Sequence, residues 1–362
     1  MTILAAQSEI IIISIIVFLL VILALVSLLL FAKAKLSPKG QVQLTINDEK
    51  QLMVSPGGTI LGTSNKANPY RCPLNKGRPL KFKDLSQTAI DNYRRLEVDC
   101  MVCIGGDGTL SIAHRLFRDG VPVIGIPKTI DNDIRGTDIT FGFDTAVYIA
   151  TEGLDRVRTT AQSHHRVMIV EVMGRNAGWI ALHSGIASGA DVVLIPEIPY
   201  DLDIVTDKVN DRYRRGKRFT IAVISEGARP KGGGKVVQRV VEESTDPIRL
   251  GGIGFVLGSQ IEAETGVETR TVVMGHLQRG GVPTPYDRVL ATRLGTRAVD
   301  MLMEGSYGYM VGIKGNDLVD VPLEEVARGQ RRVSIDDALV RSARSVGTCF
   351  GDIRDTQPEA IL

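Results

Sequence analysis

From residue 57 onward, short apolar runs rich in Val and Ile alternate with longer stretches whose apolar residues recur at helical spacing. The runs "DCMVCIGG" (99–106), "VPVIGIP" (121–127), "RVMIVEVM" (166–173), "VVLIPEIP" (192–199) and "FTIAVISEG" (219–227) read as strands. The stretches "TLSIAHRLFRDG" (109–120), "TAVYIATEGLDRVRTTAQSH" (145–164) and "AGWIALHSGIASG" (177–189) read as helices. Strands separated by helices predict an α/β fold with parallel sheets. No repeat or low-complexity tract interrupts the pattern. "ARPKGGGK" (Ala228–Lys235) reads as an exposed loop, and residues 352–362 as a peripheral tail.

The pattern before residue 57 differs. Ile10–Ala32 carries no charge and is apolar on every face, long enough at 1.5 Å per residue to cover the roughly 30 Å hydrocarbon core of a bilayer. A signal peptide would need a basic start and a small-residue cleavage site, and neither is present. Lys33, Lys35 and Lys39 follow the run, so the positive-inside bias predicts a single-pass anchor, N-terminus out, with the remainder in the cytoplasm. Residues 33–56 alternate around "NDEK" and read as a juxtamembrane hairpin. The expected organisation is a tip (1–9), a transmembrane helix (10–32), that hairpin (33–56), an α/β region of two lobes (57–351) and the tail.

Composition narrows the function classes. With 362 residues, 44% hydrophobic, the chain can bury a large core. The net charge is +2, and the densest basic stretch, Asp211–Phe219, has no aromatic interleaving beyond Tyr213. It reads as a solvated helix end, which argues against a nucleic-acid partner. Four cysteines make no disulfide framework and point to a reducing compartment.

Two strand ends carry the candidate chemistry. "DCMVCI" runs into "GGDGTL" (Gly105–Leu110) and then a helix, and a helix start at a strand's carboxyl end favours anions. Asp107 in that turn would repel a phosphate unless a divalent cation lay between them, so the turn reads as nucleotide phosphate with Mg²⁺; an ordinary βα turn is the other reading. The next strand ends in "PKTIDNDIRGTD" (Pro127–Asp138), which sets a lysine, a hydroxyl and two acids within six residues. Such an acid can take the proton of an attacking hydroxyl, and a Thr hydroxyl can bind a transferring phosphoryl group. A capped helix start would use some of the same residues.

"GGDGTL", "PKTIDND", "MGRNAGWIAL", "ISEG" and "GHLQRGGVPTPYDR" occur in that order. Together they resemble bacterial-type 6-phosphofructokinases of the mixed-substrate branch, over roughly Gly57–Gly351. The resemblance implies two lobes of parallel sheets with flanking helices and phosphorylation of fructose 6-phosphate at its 1-hydroxyl. It implies Asp107 at Mg²⁺, and Gly106, Gly108, Thr109 and Lys128 along the donor. Thr129 would contact the transferred group and Asp131 would be the general base. Met173, Gly174, Arg175 and Glu226 would line the sugar, with Arg175 also stabilising transition-state charge. His276 and Arg279 would bind the sugar phosphate. Arg166 and Arg270 would reach a neighbouring subunit's site in a homodimer or homotetramer.

Within that family a glycine at Gly108 leaves room for ATP, whereas Lys128 is a residue that pyrophosphate users carry; steric room decides for ATP, with pyrophosphate as the alternative. The family's opening turn of the type "GGDxPGxN" does not occur in residues 1–56, so the first strand–helix unit is expected to be missing, and an impaired fusion or truncated remnant is a competing reading. Residues 1–55 instead resemble the anchor and first hairpin of the F subunit of sodium-translocating NADH:quinone reductase. A ferredoxin domain would need a four-cysteine cluster, whereas Cys72 stands alone and Cys100 and Cys103 share one strand. Lipid and NAD kinases also use "GGDGT" but lack the other motifs.

Overall fold

The computed structural model describes residues 35–36, 42–43, 57–59, 63–64, 67–74, 80–242 and 247–354. Each apolar run named above becomes a strand: β1 (Met101–Gly105), β2 (Val123–Pro127), β3 (Val167–Val172), β4 (Val192–Leu194) and β5 (Thr220–Ser225). The two four-stranded sheets are completed by β6 (Thr269–Val273), β7 (Tyr309–Lys314) and β8 (Asp317–Pro322). The helices that position the site are α1 (Asp107–Arg118), α2 (Phe143–His164), α3 (Trp179–Ala187), α4 (Leu202–Arg214), α5 (Ile253–Thr265) and α6 (Pro285–Glu304).

The described residues form two compact units. The first runs through Lys128 and adds Arg135–Phe141 and Gly280–Arg328; the second comprises Thr129–Ile134, Gly142–Arg279 and the residues from Gly329 onward.

The first unit holds a four-stranded sheet in the order β8-β7-β2-β1. β1, β2 and β7 pair in parallel, and β8 pairs antiparallel with β7. α1 buries one stripe, Leu110, Ala113 and Leu116, and places Asp107 in its first turn with Arg115 and Arg118 in its last, each charge opposing the adjacent helix-dipole end. α6 packs Leu290, Leu294 and Met301 against Ile124, Ile126 and Val311 of the sheet. The β7–β8 hairpin was not anticipated, because its outer strand shows no clean apolar alternation. Asp138 holds its turn, accepting from Lys314 Nζ (3.0 Å) and the Gly315 amide (2.8 Å).

The second unit holds the sheet β6-β3-β5-β4, parallel throughout. Every residue of β3, β4 and β5 is buried. Ile169, Leu194 and Ile224 share one buried cluster with Leu257 and Ile261 of α5, and fully burying each such side chain is worth about 1.5–3 kcal/mol. Glu171 is a buried acid in this sheet. Its carboxylate accepts from the amides of Gly252 (2.9 Å) and Gly254 (2.8 Å), which serves the start of α5, where Gly252 has no side chain to cap with.

The basic stretch is only in part a solvated helix end. Arg214 and Arg215 are exposed, but Arg212 lies 2.7 Å from the half-buried Asp191, and burial pushes the Asp191 carboxyl up. A helix-end cation next to a buried acid is held inward by it, which composition alone does not reveal. Burial likewise raises the Cys100 and Cys103 thiols, each to about 11.

Lys35–Leu36 and Val42–Gln43 pair antiparallel, so the described strand pair precedes "NDEK", which lies outside the described residues. The expected transmembrane helix, 10–32, also lies outside them, and no helix among the described residues is long and apolar enough to cross a membrane. In the tail, Asp352 makes a two-pronged ion pair with Arg344 (2.9 and 2.7 Å); residues 355–362 lie outside the described part.

Candidate active site

In the first unit the donor candidates sit where β1 turns into α1. Gly106 is extended (φ −84°, ψ −168°) and begins the helix without a side-chain cap, so the backbone N–H groups of the first turn point forward. Asp107 is half-buried and accepts from the Gly108 amide (2.7 Å). Gly108 and Thr109 are exposed, and a Cβ at Gly108 would meet nothing within 4 Å. The Lys128 amide donates to Gly105 O (2.9 Å), which sets the end of β2 beside the end of β1 with the Lys128 side chain exposed. One carboxylate at a helix start suits Mg²⁺, which takes one or two carboxylates and completes its shell with phosphate oxygens and water.

In the second unit the acceptor candidates gather at the carboxyl ends of β3 and β5. After β3 the chain turns sharply. Gly174 has φ 126°, Arg175 has φ 54°, and the Ala177 amide closes the turn on Gly174 O (2.9 Å). A Cβ at Gly227 would fall 1.7 Å from Arg175 O, so only glycine lets the end of β5 approach this turn. The Arg175 amide donates to Glu226 Oε1 (3.1 Å), and the Glu226 amide donates to Val172 O (2.8 Å). The turn Gly275–Arg279 is tied in by Gln278, whose Oε1 accepts from the Met173 amide (3.3 Å). His276 and Arg279 of this turn are both exposed.

The Thr129–Ile134 segment is braced by hydrogen bonds and burial. Thr129 Oγ1 accepts from the Asp131 amide (3.2 Å), Asn132 is buried with φ 52°, and Asp133 is buried. Gln330 Nε2 donates to Asp133 Oδ2 (2.9 Å), and the Arg331 amide donates to Asp133 O (2.7 Å). The Asp131 and Glu226 carboxylates influence each other's charge. Burial pushes the Glu226 carboxyl up to about 7, the negative charge of Asp131 adds to the rise, and the Arg279 guanidinium opposes it.

A pH prediction follows from that rise. Between about 4.5 and about 7 folded Glu226 binds more protons than it does unfolded, so its contribution to stability is complete at low pH and lost as pH rises through about 7. Glu226→Gln removes this contribution, and its stability profile, measured by denaturant melts, is flatter over that window than the parent's. Parallel profiles would overturn the assignment.

Arg166 and Arg270 do not join this cluster within the chain. Arg166 immediately precedes β3, roughly 20 Å along that strand from Arg175. Its guanidinium (3.3 Å) and that of Arg270 (2.6 Å) both face Glu268 instead. Sequence reasoning missed Asn176, Gln278, Gln330 and Arg331. Asn176 and Gln278 lie inside the quoted motifs and were findable; no motif covers Gln330 and Arg331.

Comparison with known proteins places the chain among named relatives. The family model described as Phosphofructokinase matches residues 35–302. A Clostridium perfringens protein named ATP-dependent 6-phosphofructokinase 2 is 51% identical over 299 residues, 82% of this chain and 81% of that protein. An Amycolatopsis methanolica protein named pyrophosphate–fructose 6-phosphate 1-phosphotransferase is 48% identical over 282 residues, 78% of this chain and 79% of that protein. Among solved structures, the T-state phosphofructokinase of Pichia pastoris is similar with a TM-score of 0.65 and 27% identity, covering 83% of this chain and 31% of that one. These findings correct the expected localisation. The matched relatives are named as sugar-phosphate kinases, and no helix among the described residues can cross a membrane, so the single-pass, N-out assignment is withdrawn. An uncharged apolar run meets the length condition for a span, but length alone does not establish one. From its motifs, its strand-end geometry and these matches, the chain belongs to the phosphofructokinase family.

Proposed function

We propose that this chain transfers a phosphoryl group from ATP to the 1-hydroxyl of fructose 6-phosphate, giving fructose 1,6-bisphosphate, a step of glycolysis. The observation that carries the chemistry is the Asp131–Glu226 carboxylate pair, with Glu226 held by the backbone amide of the Arg175 turn. Identity of 51% to a protein named for the ATP-dependent reaction supports the substrates.

Asp131 accepts the proton of the 1-hydroxyl as that oxygen attacks, a role its short, braced loop suits. Thr129 contacts the phosphoryl group in transfer. Arg175 stabilises the charge that spreads over the equatorial oxygens, as a planar guanidinium fork can. Glu226, Met173 and Gly174 hold the sugar. The exposed His276 and Arg279 bind its 6-phosphate. Gly106, Gly108, Thr109 and Lys128 meet the donor phosphates through backbone N–H groups, a hydroxyl and a cation. Asp107 would hold Mg²⁺, which when bound neutralises charge on the donor phosphates. Arg166 and Arg270, at the far end of β3 from Arg175, serve the site of a second copy, so the working form is a homo-oligomer.

A second donor, pyrophosphate, is favoured by Lys128 and by the name of the Amycolatopsis relative. Assay of the purified full chain with fructose 6-phosphate and either donor separates the cases. The expected result is fructose 1,6-bisphosphate with ATP at a higher kcat/KM than with pyrophosphate. Preference for pyrophosphate overturns the donor assignment, and no sugar-dependent turnover with either donor overturns the function.

A further inference from the structure

We infer that Lys235, Asn176 and Gln330 form a hydrogen-bonded chain ending on Asp133 that holds the Asp131 loop in register with the Arg175 turn, which makes them positioning residues. The inference rests on the catalytic roles proposed above. Lys235 Nζ donates to Asn176 Oδ1 (2.5 Å), Asn176 Nδ2 to Gln330 Oε1 (3.3 Å), and Gln330 Nε2 to Asp133 Oδ2 (2.9 Å). An ammonium can only donate and a carboxylate oxygen accepts, so the two ends fix how both amides face. The bonds run head to tail from cation to acid, an arrangement in which each polarises the next.

The chain grips both halves of the acceptor site. Asn176 follows Arg175 directly, and Asp133 lies two residues after Asp131. Backbone ties surround the side-chain links. Ile134 bridges Gln330, the Arg331 guanidinium donates to Asn132 O (3.3 Å) and sits 4.1 Å over the Trp179 ring, and the Val333 amide donates to Glu197 Oε1 (2.9 Å). Glu197 in turn accepts from the Gly178 amide (3.0 Å), which closes the ring back to the turn that carries Arg175. Because these ties do not involve the Gln330 side chain, trimming it loosens the registration and leaves the framework. Lys235 lies in the glycine-rich loop after β5, so its substitution tests the chain from a site the core does not need.

The test uses the full chain with Gln330→Ala, Gln330→Glu, Asn176→Ala, Lys235→Met and the double variant Asn176→Ala/Gln330→Ala. A misplacement of about 1 Å costs on the order of 100-fold, so Gln330→Ala lowers kcat roughly 10- to 100-fold. KM for ATP stays within about twofold, since the donor contacts belong to other residues. Lys235→Met gives a smaller loss in the same direction. The double variant is no worse than the poorer single, as for residues that act as a unit. Gln330→Glu moves the acidic limb of the kcat–pH profile upward, because it sets another carboxylate beside Asp133. Amide hydrogen exchange gives a readout independent of turnover: Gln330→Ala speeds exchange in 131–133 and 175–177 together. Parental kcat, pH limb and protection in folded variants, or single losses that multiply in the double, would overturn the inference. Parent turnover with fructose 6-phosphate is scored separately, so failure of the reaction assignment is distinguishable from failure of the chain.

Discussion

Asp131→Asn lowers kcat by roughly 10²–10⁴-fold, the range that a positioned general base supplies. The amide keeps the shape of the side chain, and the Asp131 backbone amide still donates to Thr129 Oγ1 (3.2 Å), so the variant melts with the parent. A second signature separates lost chemistry from lost structure. The charge of Asp131 is one of the two leading reasons that the Glu226 carboxyl stands at about 7. Removing that charge moves the Glu226 titration down, which carboxyl NMR reads directly. Turnover within a few-fold of the parent, or an unmoved Glu226, would show that the two carboxylates do not work as a pair.

Gly108→Asp reverses donor preference. The position is exposed at the helix start, and a Cβ there meets nothing within 4 Å, so the fold tolerates the side chain. A carboxylate next to Asp107 adds a like charge and fills the space that a nucleotide would use. Like-charge placement costs several kcal/mol, so kcat/KM for ATP falls on the order of 100-fold or more while stability changes by less than about 0.5 kcal/mol. Pyrophosphate, smaller and offered Lys128, loses less. Equal losses with both donors would mean that Gly108 does not select between them.

Legibility in the sequence followed burial. The strands β1 to β5 were visible because buried parallel strands need apolar residues on both faces. The Asp107 turn and the Asp131 loop were visible because glycines, acids and a hydroxyl collect at strand ends where ligands bind. The β7–β8 hairpin was not, since β8 mixes Asp317 and Asp320 into an edge strand. Arg212 read as solvated because its partner Asp191 lies on another element, 2.7 Å away in space and far away in sequence. Gln330 escaped for the same reason. Its meaning depends on Asp133 and Asn176, and no local spacing records either contact.

The long reach of those contacts bears on how the enzyme comes to life. Gln330 and Asp133 are 197 residues apart along the chain, and Arg331 and Asn132 are 199 apart. Contacts of such separation form late, after the loop-closure entropy between them has been overcome. During synthesis the catalytic loop therefore emerges long before the segment that braces it. A nascent chain halted before Gly329 carries every residue proposed for catalysis but none of the bracing at 330–333, so competence waits on the emergence of that segment.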